Sequence, residues 1–201
     1  RTDLLFKGGT NMSYTFSRRD FMKYTALAAA AVAVSGSLTG CSNPNRPVGT
    51  VGSKLKPGDG ICEATLLGDT SKPVYNATDK SLTCKFDIYT LVGQLQVTDI
   101  HFQLNVTDAD GNVIRYYAGV SGLTITVDNG SASGLEKNQT VKPTVTFKGI
   151  TDLTTAKSIS VIYIPKIYAS GSVTDSFSDV YATWTFEPKA IGLGAAAGEG
   201  N

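Results

Sequence analysis

The chain has 201 residues, 41% hydrophobic and 17% charged, with a formal net charge of +1, three Cys and one His. That length suits one globular core with appendages, and the apolar content argues against intrinsic disorder. Near-neutral charge speaks against a nucleic-acid binder, which needs a basic stripe to hold phosphates, and so few Cys and His leave little material for a metal or nucleophile site.

Residues 1–11 precede the first methionine, Met12. Lys7-Gly8-Gly9 is encodable by an A/G-rich stretch like a ribosome-binding site, so 1–11 is read as a non-native upstream leader. Residues 12–40 are expected to be a signal peptide. Tyr24 to Leu38 is a mildly apolar, Ala-rich stretch of fifteen residues. At about 1.5 Å each these fall short of a ~30 Å hydrocarbon core, which suits a targeting segment better than a permanent membrane helix.

Ahead of that stretch stands Ser17-Arg18-Arg19-Asp20-Phe21-Met22-Lys23. It resembles the twin-arginine export signal of bacteria, with Arg18, Arg19, Phe21 and Lys23 in the signal's places. Leu38-Thr39-Gly40-Cys41 resembles the lipobox of bacterial lipoproteins. That resemblance implies cleavage before Cys41, acylation of its thiol, and an extracytoplasmic domain held at the bacterial cell membrane. Acyl chains contribute about 0.8 kcal/mol per buried methylene, so two or three of them anchor firmly. The alternative is plain secretion with Cys41 unmodified. Loss of residues 1–40 removes five of the 18 basic and two of the 17 acidic residues, leaving a slightly acidic chain of net charge −2.

Residues 41–60, with Pro44, Pro47, Pro57 and four glycines, read as a flexible lipidated tether. Residues 61–189 read as one domain of two-residue periodicity. Strands are expected over Ile61–Leu67, Leu82–Leu91 and Ile100–Thr107, with Val113–Ala118 pairing back onto the last. Leu123–Val127, Val145–Phe147 and Val180–Phe186 alternate likewise, and the more continuously apolar Ile159–Ile164 reads as a central strand. About seven to eight strands without helical spacing predict an all-β antiparallel sandwich. Residues 190–201 read as a disordered tail. The turn Asp108-Ala109-Asp110-Gly111-Asn112 and the strand Thr144-Val145-Thr146-Phe147 together resemble small immunoglobulin-like domains of bacterial surface lipoproteins. Such domains commonly serve as interaction or accessory modules.

Cys62 and Cys84 both fall in the inward phase of their strands, and outside the cytoplasm such a pair reads as a disulfide. The alternative is two buried free thiols. Asp108, Asp110 and Asn112 mimic the start of a calcium loop, but Gly111 sits at the fourth place and Gly119 at the twelfth, so a plain hairpin turn is expected. His101 is placed on the polar face of its strand. No haem, iron–sulfur, copper or catalytic-triad pattern is present, so no cofactor, no metal and no enzyme is expected. Among the tyrosines, Tyr116, Tyr168 and Tyr181 are the candidate ligand surface, since exposed rings give contact area at low entropy cost. The expectation is a non-catalytic interaction or accessory module whose partner is an unknown protein or cell-wall glycan. The competing class is a carbohydrate- or peptide-binding domain using those rings.

Overall fold

The computed structural model describes residues 43–169, 172–173 and 180–193. Their β-branched and aromatic alternation produces an all-β sandwich. One sheet runs in the order β1 (Val48–Gly49), β16 (Ala182–Phe186), β13 (Ser158–Tyr163), β7 (Phe102–Thr107), β8 (Val113–Tyr117). The second runs β2 (Lys54–Leu55), β3 (Cys62–Leu66), β5 (Ser81–Thr90), β12 (Thr144–Lys148), β9 (Thr124–Asp128), with β4 (Val74–Asn76) and β11 (Thr140–Val141) also on β5. A smaller third sheet orders β10 (Ser131–Leu135), β6 (Leu95–Val97), β14 (Lys166–Ala169) and β15 (Ser172–Val173). Pairings are antiparallel except β1, which lies parallel to β16.

The two large sheets meet through aromatic rings. Phe86 of β5 lies 5.1 Å from Phe102 of β7 and 5.6 Å from Trp184 of β16, and Phe102 lies 5.2 Å from Tyr163 of β13. Alternation decides which residues take part: Leu104, Val106, Val145, Phe147, Ala182 and Trp184 are buried, as their phase predicts. The run expected as a central strand is β13, between β16 and β7. The expected hairpin also forms. Gly111 (φ 89°) donates to Asp108 O while Asp108 N–H donates to Asn112 O. Both carboxylate oxygens of Asp108 accept from Asn112, at 2.8 and 3.0 Å, which closes the turn.

Four differences from the sequence reading have physical causes. The expected tether is docked from Pro44 onward, where the carbonyl accepts from the Gly58 amide. Asn45 O and Pro47 O accept from the Tyr181 and Thr183 amides, Val48 pairs with Thr183, and Lys54 pairs with Thr65. Backbone hydrogen bonds, which demand no large side chains, fix this Pro- and Gly-rich segment, and Ser53 O accepts from the Trp184 indole at 2.8 Å. At the other end, Pro188–Ile191 forms a 3₁₀ turn and Ile191 is buried, so ordered structure reaches Leu193. Ile100 and His101 exchange their expected environments. A 3₁₀ turn over Asp99–His101 breaks the two-residue phase, leaving Ile100 52% exposed and His101 buried.

The fourth difference is the disulfide: Cys62 and Cys84 are free and buried. Both do point inward, but Cys62 stands opposite Thr90 on β5 and Cys84 lies six residues along that strand. At about 3.3 Å per residue that is roughly 20 Å, far beyond the ~7 Å limit for Cα atoms of a bridged pair. Burial pushes the Cys62 thiol up to about 12, helped by the neighbouring Glu63 charge. Burial also raises Cys84. Both thiols are therefore unreactive at neutral pH.

Candidate functional site: a charged recess on the second sheet

Cross-strand register determines which side chains share a face. Lys54, Thr65 and Asp87 form one outward row across β2, β3 and β5, and Glu63, Tyr89 and Thr140 form the next across β3, β5 and β11. With Lys142 they line a recess of about 560 Å³. Each outward residue alternates with a buried one (Cys62, Ala64, Phe86, Ile88), so the core holds the floor rigid.

Charges of both signs line this recess. Glu63 accepts ion pairs from Lys56 at 2.6 Å and Lys54 at 3.0 Å. Lys56 and then Lys54 hold its carboxyl below the usual range. The half-buried Tyr89 donates its hydroxyl to Asn138 Oδ1 at 3.1 Å, which fixes the ring beside Asp87. The arrangement presents one aromatic surface, two carboxylates and two or more ammonium groups in a concave setting. It suits hydrogen-bonded recognition of a polar ligand or a charged peptide.

Of the three expected tyrosines, Tyr116 and Tyr181 do not share a face. Tyr116 is buried, its hydroxyl accepting from the Thr151 amide at 2.9 Å. It shares the inward row with Leu104, Val161 and Trp184, so it faces the core. Tyr181 precedes Ala182 and takes the opposite, outward phase; it is half-buried, with the Arg46 guanidinium 5.3 Å from its ring centroid. The Tyr168 side chain lies outside the described residues, as do Cys41, Arg18, Arg19, Phe21 and Lys23. Tyr89 was missed because its signal, outward alternation in Asp87 and Tyr89, means little until β2 and β11 flank it.

Burial has removed His101 from any surface role. Its Nδ1 accepts from the Thr98 amide at 3.0 Å, capping the 3₁₀ turn. Desolvation, then nearby Lys166, lower its pKa to about 4 against the opposing pull of Asp99. Among the described residues no group of three or more His, Cys, Asp or Glu is placed to hold a metal, and no helix is long and apolar enough to cross a membrane.

Comparison with known proteins adds an address. Residues 15–35 match the TAT (twin-arginine translocation) pathway signal sequence, which indicates export across the cytoplasmic membrane. No curated protein matches the chain. Among solved structures, a lipoprotein candidate from Bacillus subtilis aligns with 14% identity and a TM-score of 0.38, over 65% of this chain and 37% of that one. The chain thus spans little more than a third of that protein's length. The secreted protein MPT63 of Mycobacterium tuberculosis aligns with 15% identity and a TM-score of 0.34, over 69% of this chain and 96% of that one.

Proposed function

We propose that this exported chain is a lipoprotein, acylated at Cys41, whose immunoglobulin-like sandwich serves as a non-catalytic interaction module at the extracytoplasmic membrane surface. The observation that carries the reading is the recess around Tyr89, a rigidly floored surface with Lys54, Glu63, Asp87 and Lys142 along it. The twin-arginine match supplies the export and Leu38-Thr39-Gly40-Cys41 the acylation site. The same recess favours one second reading. An aromatic ring flanked by two carboxylates is a common way to hold a sugar, so the ligand class includes cell-wall glycans beside envelope proteins.

The test presents the mature chain to a bacterial glycan array and, separately, to envelope proteins under crosslinking. A partner retained by the native chain and lost by both Tyr89→Ala and Asp87→Ala supports the recess. A partner retained equally by the variants, or turnover by the purified chain, overturns the reading. Retained glycan rather than protein selects the second reading.

A further inference from the structure

We infer that the domain rests directly on the bilayer, with the end of the sandwich that carries Arg46, Ile100 and Tyr181 at the level of the lipid headgroups and the Asp108–Asn112 hairpin as its distal tip. This rests on acylation of Cys41 as proposed above. The decisive quantity is length of chain. The chain is first bonded to the rest of the domain at Pro44, whose carbonyl accepts from the Gly58 amide, and the three residues from Cys41 to Pro44 reach at most about 11 Å. One leaflet's headgroup layer is about 5–7 Å thick, so even fully extended this stretch lifts the domain by only a few ångströms.

Register defines which end faces the lipid. The Asn43–Val48 segment enters parallel to β16, held by Asn45 O on the Tyr181 amide and Pro47 O on the Thr183 amide. It therefore arrives from the end where β16 begins. Ala182 pairs with Tyr163, and Tyr163 with Phe102, so the start of β7 and the 3₁₀ turn with exposed Ile100 lie at that same end. This end carries charge of both signs, Arg46 over the Tyr181 ring and Lys166 near His101 beside the carboxylate of Asp99, so its placement follows from chain length and register and not from net charge. The far end of β7, beyond Thr107, carries Asp108 and Asp110 in the hairpin. Six residues of strand, roughly 20 Å, separate the two ends.

The experiment uses the mature acylated chain in phosphatidylglycerol–phosphatidylcholine vesicles whose headgroups carry nitroxide quenchers. A fluorophore is placed through Ile100→Cys or Asp110→Cys, since Cys62 and Cys84 are buried. The Ile100→Cys label is expected to lose most of its emission and the Asp110→Cys label little. Inserting about 20 Gly/Ser residues between Ser42 and Asn43, an r.m.s. span of about 25 Å, is expected to restore the first signal. Equal quenching at both sites, or no recovery on insertion, overturns the orientation alone. A mature chain whose mass shows no acyl group at Cys41 overturns the anchor and this inference together.

Discussion

The two large sheets share one core but turn opposite surfaces outward. Across β16, β13 and β7 the outer rows are Thr183, Ile162 and Gln103, then Thr185, Ser160 and Asn105. All are half-buried, and the Ser160 and Thr185 hydroxyls bond each other at 2.9 Å. Across β2, β3, β5 and β11 the outer rows carry Lys54, Glu63, Asp87 and Tyr89. Inner faces are interchangeable because any well-packed apolar set satisfies them, whereas outer faces differ because only there does solvent let charge persist. Hydroxyl pairs occur on both outer faces, Ser160–Thr185 on the first and Thr83–Thr146 on the second, but these rows of the first sheet are uncharged whereas those of the second carry charge of both signs beside Tyr89.

That contrast can be broken most severely from within. Trp184 touches Phe86 across the core and donates to Ser53 of the N-terminal segment. Trp184→Ala is expected to cost about 3–5 kcal/mol in urea unfolding, affecting both sheets together. Two separate transitions in the native chain would instead show that the sheets unfold independently.

Acid reaches the shared core through His101. Its folded pKa of about 4 lies below the ordinary ~6.5, so as pH falls the unfolded chain takes up the proton first. The stability is fully present above pH ~6.5 and is lost toward pH 4, by about 3 kcal/mol. His101→Asn, which retains an acceptor for the Thr98 amide, is expected to remove this loss. The depressed carboxyls of Glu63, Asp108 and Asp152 titrate lower, so the interval from pH 6.5 to about 5 isolates the histidine. An unchanged pH slope in the variant would refute the assignment.

The smallest expected effect lies on the charged outer face. Glu63→Gln removes two ion pairs to exposed lysines and should leave the urea midpoint unmoved. A clear drop would mean that the recess supports the fold as well as presenting a surface, and the contrast between the sheets would weaken.

Strand positions and core phase were legible because alternation is a local property: Leu104, Val145 and Trp184 could be assigned inward from their neighbours alone. What escaped was non-local. Docking of residues 44–55 depends on backbone acceptors meeting Tyr181 and Thr183, which composition does not reveal. The inward phase of Cys62 and Cys84 was right, yet bridging needs strand register, which places them far apart. The recess likewise needs β2 and β11 beside β3 and β5, and its ring, Tyr89, looks no different in sequence from Tyr116.

Trp184 is the only tryptophan among 201 residues, and its indole N–H ends on a carbonyl of the segment that follows the export signal. Any event that peels that segment away also hydrates this indole. The protein thus carries a built-in optical gauge, in which a red shift of the intrinsic emission reports release of the N-terminal strap without any added label.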